Sequence, residues 1–257
     1  AVPLMLEEEG LAREVCNHLR LDNYIPDNSK WAEMIEKIRK IDKNNKVKIA
    51  IVGKYIKLED SYISVIESIK HAGFENNVET EIELIDCETI TKDTVQEKLD
   101  GLDGIIVPGG FGNRGIEGKI TTIKYARENQ IPFLGICLGM QALFESSEEN
   151  GYCLGFGFIK GHVCHMEDTS VKIPQIGWNV LESSQAQNIF KENTYVYYVH
   201  SYYAKDMENQ DLIGYSMYGN MKIPGLVMHG HIMGCQFHPE KSGKDGLKIL
   251  EYFGKEF

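Results

Sequence analysis

The sequence has no apolar run long enough to cross a membrane, because a transmembrane helix needs about 20 consecutive apolar residues. It also lacks a basic segment followed by an apolar one near residue 1, the pattern of a secretory signal. We therefore expect neither membrane insertion nor secretion. Basic residues are outnumbered, with 27 Lys and Arg against 38 Asp and Glu, for a formal net charge of −11. This balance argues against nucleic acid or an anionic membrane as a partner.

Cysteines are few, and their spacing is irregular. Six cysteines in 257 residues do not form the pattern of a disulfide framework, and free thiols favour a reducing compartment, so we expect a cytoplasmic protein. No Gly-Lys-Ser/Thr follows a glycine-rich segment, so the sequence predicts no Walker loop for ATP. Residues 162–165 and 229–231 contain histidines and lie on predicted strands. Neighbouring side chains of a strand point to opposite faces, so these histidines do not converge on one metal ion. We therefore predict no metal site, and no cofactor is implied.

Strand and helix patterns alternate through the first half of the chain. The predicted strands lie over 48–52, 81–85, 104–107 and 131–134, and the predicted helices over 62–72, 94–99 and 118–129. This alternation predicts an α/β protein with a mostly parallel, doubly wound sheet and a site at the carboxyl ends of its strands. The second half is richer in short strands and ends in a predicted helix over 244–256.

Two further helices are predicted at the N-terminal end, over 4–19 and 31–41, where apolar residues recur at helical spacing. A polar linker over 42–45 follows them. We therefore predict an N-terminal helical extension over 1–45 and one larger domain over 46–257.

The segment Gly135-Ile136-Cys137-Leu138-Gly139 predicts a cysteine nucleophile on a strand-to-helix elbow. A short apolar strand precedes it, and a helix is expected over 138–144. The G-x-C-x-G pattern matches the nucleophile elbow of hydrolases, with sulfur in place of the serine oxygen. The alternative is a core cysteine in a glycine-flanked turn.

A nucleophilic cysteine needs a base, and His238 is the histidine whose neighbours suit that role. Pro239 favours an extended backbone at His238. Residues two apart in an extended chain point to the same side, so Glu240 can accept the ring N–H and orient the imidazole. The alternative is a surface His-Pro-Glu turn.

A glycine-rich segment, residues 108–115, follows the predicted strand over 104–107. Gly110, Gly112 and Gly115 match the dinucleotide fingerprint formally, but that fingerprint belongs to the first strand of its βαβ unit, and other strands come first here. Exposed N–H groups in such a turn serve equally well to stabilise an oxyanion.

Together and in this order, P-G-G-F-G, G-I-C-L-G-M-Q and H-P-E resemble the motifs of the class I (triad) glutamine amidotransferases. The resemblance implies a flavodoxin-like fold and a glutaminase that converts L-glutamine to glutamate and ammonia through a cysteine thioester. It implies that Cys137 is the nucleophile, His238 the base and Glu240 its orienting partner. The N–H groups of Gly110 and Leu138 would stabilise the oxyanion, and a synthase domain or subunit would receive the ammonia.

The finer resemblance changes at the elbow. Residues 1 to about 141 resemble the CTP synthase glutaminase domain, through V-P-L-M-L-E-E-E-G-L at residues 2–11 and K-I-A-I-V-G-K-Y at residues 48–55. From about 144 to 257 the chain is similar to the glutaminase subunit of imidazole glycerol phosphate synthase, through I-G-W-N at 176–179, Y-V-H-S-Y-Y at 198–203 and H-P-E-K-S-G at 238–243. The changeover falls where both families share sequence, which favours a recombined or designed chimera.

The second resemblance implies a set of substrate contacts. Gln141 and Glu149 would take the ammonium group or other polar atoms of glutamine, and the backbone of Ser201 and Tyr202 would take its carboxylate. Considered without the family, Glu149 is a solvated acid and the aromatic run over 195–203 is a strand core. The residues that would face a synthase partner are Trp178, Tyr197 and Lys241.

Two other functions stay open from the sequence. The first is a different thiol hydrolase of the same fold, which would keep the elbow cysteine and a histidine. The second is a folded but catalytically weak chimeric module, because a misplacement of ~1 Å in a triad can cost about a hundredfold in rate.

Overall fold

The computed structural model describes residues 2–22, 26–58, 60–109, 115–149, 151–183 and 189–256. Within these ranges the chain forms an α/β fold with one large sheet and one small sheet, which confirms the predicted fold class. None of the helices in this part of the chain combines the length and apolar character needed to span a bilayer.

The helices of these residues are α1 (Val2–Glu8), α2 (Leu11–Leu19), α3 (Ser29–Arg39), α4 (Ile63–Asn76), α5 (Val95–Leu99), α6 (Ile116–Glu128), α7 (Leu138–Gln141) and α8 (Gly243–Glu256). The strands are β1 (Lys46–Gly53), β2 (Glu79–Asp86), β3 (Gly104–Val107), β4 (Phe133–Ile136), β5 (Phe144–Ser147), β6 (Cys153–Leu154), β7 (Ile159–His165), β8 (Gln175–Ser183), β9 (Thr194–His200), β10 (Tyr202–Lys205), β11 (Leu212–Tyr218), β12 (Met221–His229) and β13 (Ile232–Cys235). Single 3₁₀ turns occupy Cys87–Thr89 and Pro239–Lys241.

The large sheet has the strand order β2-β1-β3-β4-β13-β12-β11-β8-β9. The first five strands pair in parallel, and the strands from β13 to β9 pair antiparallel. Every residue of β3 and β4 is buried, as expected for parallel strands covered on both faces. The sheet is therefore mixed: the predicted parallel half is continued by antiparallel strands from the second half of the chain.

Apolar side chains cover both faces of this sheet. Along β1, Ile51 joins one buried cluster with Ile69 of α4, whereas Ala50 and Val52 join the other with Ile123 of α6. This is the alternation that a strand imposes on its side chains. The sheet thus lies between two helical layers, which is the doubly wound arrangement.

Three neighbouring parallel strands, β3, β4 and β13, end side by side at one edge of the sheet. The register places Cys235 opposite Ile136. The backbone N–H of Cys137 donates to the carbonyl oxygen of Cys235 at 2.7 Å. The segments that leave these strands carry the three sequence motifs, so the topology brings together what the sequence separates.

The helix after Cys137 is shorter than its sequence predicts. A helix was expected over 138–144, but α7 ends at Gln141 and Phe144 begins β5. Phe144 is fully buried and pairs with Ile159 of β7. Tertiary pairing in the small sheet therefore prevails over the local preference for helix.

The aromatic run over 195–203 is divided between the two sheets. β9 belongs to the large sheet and β10 to the small one, whose order is β10-β7-β5-β6. Ser201 lies between them, and its carbonyl oxygen accepts the N–H of Met166 at 2.8 Å. The run is therefore two strands that meet at Ser201, not one.

The helix predicted over 4–19 is interrupted at Gly10, which separates α1 from α2. Gly10 has a left-handed backbone with φ of 79°, a conformation that glycine adopts readily. The second predicted helix is α3, shifted by about two residues toward the N-terminus. The division into an extension over 1–45 and a domain over 46–257 stays a prediction.

Candidate active site

Cys137 occupies a strained turn between β4 and α7. Its φ of 54° and ψ of −110° are uncommon for a residue with a side chain, and such strain is often found at functional sites. Gly135 permits the turn, because a Cβ at this position would overlap the backbone of Gly139 and Met140. The cysteine is thus presented on an elbow.

His238 is held between a carboxylate and the nucleophile candidate. Its Nδ1 lies 2.7 Å from Oε1 of Glu240, whose side chain is only 5% exposed. Cys137 lies close enough for its side chain to raise the pKa of the ring. The backbone N–H of His238 donates to the carbonyl oxygen of Tyr197 at 2.9 Å. Glu240 lies in a 3₁₀ turn, whereas His238 itself is extended, with φ of −98° and ψ of 98°.

The electrostatics of His238 follow from these contacts. Burial alone would lower the pKa of His238, but the hydrogen bonds and charges of Cys137 and Glu240 outweigh burial and raise it to about 9. The imidazole therefore carries its proton near neutral pH. A protonated imidazole beside the sulfur is suited to donate that proton to a leaving group.

A cleft of about 580 Å³ opens in front of Cys137. A more open depression lies between β7, β10 and β12 and contains none of the predicted site residues. The predicted site residues that line the cleft are Cys137, Leu138, Gln141, Glu149, Ser201, Tyr202, His238, Glu240 and Lys241. The fold therefore brings together nine residues that the sequence distributes over more than one hundred positions.

Glu149 is partly buried in the cleft wall, although the sequence alone allowed a solvated acid. Burial raises the pKa of its carboxyl group. Its backbone N–H donates to Oγ of Ser147 at 3.2 Å. An acid held in a cleft with a raised pKa is favourably placed to pair with a cationic ligand group, since that pairing would stabilise its charged form.

The glycine loop passes beside the nucleophile. A Cβ on Gly109 would come within 3.4 Å of the Cys137 Cβ and 3.8 Å of the His238 Cε1. Gly110, the predicted oxyanion donor, lies outside the described residues. Leu138, the other predicted donor, is the first residue of α7, where an N–H has no acceptor within its own helix.

Sequence reasoning missed three buried polar residues near this site. Lys119 donates from Nζ to the carbonyl oxygen of Pro108 at 3.2 Å, and burial lowers its pKa. The Nε2 of Gln236 lies 3.7 Å from the Cys137 sulfur. Gln236 could have been found, because it stands two residues before His238 at the end of a strand and so shares its side.

His200 is the third of these residues. Burial, with a further contribution from the charge of His238, lowers the pKa of His200 to about 4, so its ring is neutral. Its Nδ1 lies 2.8 Å from the carbonyl oxygen of Tyr202 and therefore carries the proton. His200 thus lines the cleft and holds the backbone of Tyr202 in place.

Of the three residues predicted to face a partner, Lys241 lines the cleft, and the carbonyl oxygen of Tyr197 accepts the His238 N–H. Trp178 is 56% exposed, and its ring meets that of Tyr197 edge to face at 5.9 Å between centroids. Ile176 and Tyr195 continue the same face of β8 and β9. We call Ile176, Trp178, Tyr195 and Tyr197 the aromatic patch. Lys241 lies at the edge of the cleft itself.

Comparison with known proteins identifies a family and several relatives. The family model "Glutamine amidotransferase class-I" matches residues 57–256. The CTP synthases of Bacillus thuringiensis (strain Al Hakam) and Bacillus anthracis (strain CDC 684 / NRRL 3495) are each 52% identical to this chain over 141 residues. The match covers 55% of this chain and 26% of each relative, so the chain spans about a quarter of the length of these CTP synthases.

Two solved structures share the fold. The glutaminase domain of Trypanosoma brucei CTPS with bound acivicin has a TM-score of 0.63 at 23% identity, and the likeness covers 81% of this chain and 94% of that one. A glutamine amidotransferase from Thermotoga maritima has a TM-score of 0.52 at 19% identity, covering 82% of this chain and 84% of that one. At these identities the likeness establishes the fold alone.

The contacts of His238 predict a titration that can be measured. Replacing Cys137 with Ala removes the strongest interaction that raises the pKa of His238, so this pKa should fall from about 9 toward the ordinary value of 6.5. A pH titration of the His238 ring protons by NMR measures the change. Cys164→Ala removes another buried thiol and is the matched control. An unchanged His238 titration in Cys137→Ala would contradict the contact.

The same shift has a consequence for stability. A pKa that is raised on folding stabilises the native state fully below the unfolded value of 6.5, and this stabilisation is lost as pH rises through about 9. The difference in the free energy of unfolding between the wild type and Cys137→Ala should therefore decrease over this pH window.

Proposed function

Because the chain belongs to the class I glutamine amidotransferases, we propose that it hydrolyses L-glutamine to glutamate and ammonia at Cys137. One observation carries the proposal: Cys137 stands on a strained elbow in contact with His238, and Nδ1 of His238 is held 2.7 Å from Glu240. Nucleophile, proton carrier and orienting acid are the three parts that a thiol hydrolase requires.

The reaction follows from these positions. The Cys137 sulfur attacks the side-chain amide carbon of glutamine, and the carbonyl oxygen becomes an oxyanion near the Leu138 N–H; the family resemblance implies the Gly110 N–H as a second donor. The C–N bond breaks as His238 gives its proton to the nitrogen, so ammonia leaves and a glutamyl thioester remains. Water then attacks the thioester while His238 takes its proton. Glutamate leaves and the thiol is restored.

The cleft supports an orientation for the substrate. Both N–H bonds of the Gln141 side chain are already used, since Nε2 donates to the Tyr202 carbonyl oxygen at 2.9 Å and to Oε1 of Gln236 at 3.0 Å. Its Oε1 is therefore the atom left for a ligand, and it can only accept. We propose that this oxygen and the Glu149 carboxylate receive the substrate ammonium group, while the backbone at Ser201 and Tyr202 receives its carboxylate.

We further propose that the ammonia is meant for a synthase partner. CTP synthase is the name of the sequence relatives, and the chain spans only about a quarter of their length. We infer that this partner would contact Lys241, which lines the cleft, and the exposed side chains of the aromatic patch. The acceptor is then either a CTP synthase-like synthetase domain or an imidazole glycerol phosphate synthase-like barrel.

The unequal similarity along the chain supports a chimeric origin. The 52% identity to CTP synthases extends over 141 residues, 55% of the chain, whereas the family model matches residues 57–256. A chain with two origins can retain the fold and the triad while neither parent's partner surface is whole.

Cys137→Ala should reduce glutamate release from glutamine by at least ~10³-fold, because nucleophile and base act as a unit. A coupled assay for glutamate measures the loss, and Cys164→Ala should keep the wild-type rate. His238→Asn should lose more activity than Glu240→Gln, since Glu240 acts only through the histidine.

Labelling separates this proposal from the two alternatives. A glutamine-analogue alkylator should modify Cys137 first, although Cys153 is more exposed. If activity is lost on labelling of Cys153 instead, the assignment of Cys137 as the nucleophile is wrong. A different thiol hydrolase would show Cys137 labelling by general alkylators without glutamate release, and a misaligned triad would show neither selective labelling nor turnover.

Glu149 should make glutamine binding depend on pH. Its ionised form would pair with the substrate ammonium group, and burial raises its pKa. KM should therefore rise as pH falls through that raised pKa, with kcat affected less. Glu149→Gln should raise KM roughly tenfold and flatten its pH dependence. The control is Glu148→Gln, which alters the exposed acid next to it; an equal change in both variants would contradict the role.

The isolated chain should be a weak glutaminase whose partners stimulate it little. Exposed apolar residues occur both on α1 and α2 and on the aromatic patch, so each parent interface is represented only in part. Glutamate release should be unchanged by UTP with ATP, and changed weakly or not at all by an imidazole glycerol phosphate synthase barrel. Strong stimulation by that barrel, abolished by Lys241→Ala, would show that the second half alone determines the partner.

A further inference from the structure

A row of buried amides lies directly behind the nucleophile. Gln236 directly follows β13 and is fully buried, and its Nε2 lies 3.7 Å from the Cys137 sulfur. Its Oε1 accepts from Nε2 of Gln141 at 3.0 Å. Gln141 is 4% exposed and donates onward to the Tyr202 carbonyl oxygen at 2.9 Å. The row therefore connects the sulfur to the backbone at the substrate end of the cleft.

The direction of these hydrogen bonds follows from a single backbone atom. A carbonyl oxygen can only accept, so the atom of Gln141 next to Tyr202 must be its nitrogen. The second hydrogen on that nitrogen then needs an acceptor, which makes the near atom of Gln236 its oxygen. The remaining atom of the Gln236 amide is its nitrogen, and this nitrogen faces sulfur. The hydrogen bonds among Tyr202, Gln141 and Gln236 thus identify the atom beside the Cys137 sulfur as the amide nitrogen of Gln236. The shape of the amide alone could not distinguish its nitrogen from its oxygen.

The Cys137 sulfur also lies near a hydrogen-bond acceptor. The carbonyl oxygen of Val199 lies 3.9 Å from the Cys137 sulfur and can only accept a hydrogen bond from an S–H group. Gln236 can only donate at this point. The two neighbours therefore favour different protonation states of the sulfur, since a donor stabilises the charged nucleophile and an acceptor stabilises the neutral thiol.

We propose that Gln236 is the hydrogen-bond donor that holds the Cys137 sulfur in its reactive form and links it, through Gln141, to the substrate-binding backbone at Tyr202. The inference rests on the proposed role of Cys137 as the nucleophile. A hydrogen bond to a charged group is worth more than one between neutral groups, so a buried donor at this point affects the reaction more than an ordinary core contact.

The test replaces Gln236 in two ways and reads the sulfur directly. Gln236→Met keeps the length of the side chain and removes the donor. Gln236→Glu keeps the shape and the acceptor for Gln141 but turns an acceptor toward the sulfur. The readout is the rate at which iodoacetamide alkylates Cys137, followed by peptide mass mapping over a range of pH. This measurement does not depend on turnover.

In Gln236→Met the alkylation profile should move to higher pH, and kcat for glutamine should fall roughly 10-fold to 100-fold. Gln236→Glu should move the profile further in the same direction, because a carboxylate beside the sulfur opposes its negative charge. If both variants fold and alkylate with the wild-type pH profile, the inference is wrong.

A purely structural role for Gln236 gives a different result. Thr122→Val is the matched control, since it removes another fully buried hydrogen bond, from Oγ1 to the Gly118 carbonyl oxygen at 2.8 Å. It should lower thermal stability without moving the alkylation profile. If the Gln236 variants behave like Thr122→Val, Gln236 only fills space.

The wild-type protein supplies a readout if neither variant folds. Alkylation of Cys137 replaces a good acceptor by a thioether, so the Gln236 side-chain amide signals should shift in an NMR spectrum of ¹⁵N-labelled protein. Unchanged signals would overturn the inference. A wild type that alkylates at Cys137 but releases no glutamate would refute the proposed function, whereas the alkylation profiles would still decide the role of Gln236.

Discussion

The parallel pairing of β4 with β13 is the constraint on which the candidate site depends. Cys235 stands opposite Ile136 in this pairing, and the next residues on the two strands are Gln236 and Cys137. A slip of one residue would turn every side chain of β13 to the other face. Gln236 would then leave the sulfur, and His238 would lose its position between Cys137 and its carboxylate partner. Buried apolar side chains on both faces resist such a slip, because it would expose them or leave cavities.

Burial of the polar groups at this site is offset by pairing between them, although Oε2 of Glu240 is buried without a hydrogen-bond partner among the described residues. Glu240 and His238 neutralise one another at 2.7 Å, and the residues behind the sulfur are uncharged amides and a neutral histidine. A buried charge without a partner would cost several kcal/mol. At His238 the hydrogen bonds and charges of Cys137 and Glu240 outweigh the effect of burial and raise the pKa to about 9, so the imidazole keeps a proton that it can transfer.

The cleft is assembled from both sheets. The large sheet supplies Cys137 and His238 from the ends of its parallel strands, whereas the small sheet supplies the backbone beyond Ser201, for which we propose contact with the substrate carboxylate. The change of sheet at Ser201 turns the chain beside the nucleophile, and the buried ring of His200 holds the following carbonyl oxygen in place.

The sequence by itself determined the alternating strands and helices, the elbow at Cys137 and the pairing of His238 with Glu240, because these depend on periodicity, small residues and neighbours two positions apart. It did not determine that α7 would end at Gln141, that the aromatic run would divide at Ser201, or that Gln236 would donate to the sulfur. Each of these depends on which strands become neighbours. Strand order depends on burial summed over the whole sheet, which no local sequence pattern reveals. Only the tertiary structure therefore decided these three features.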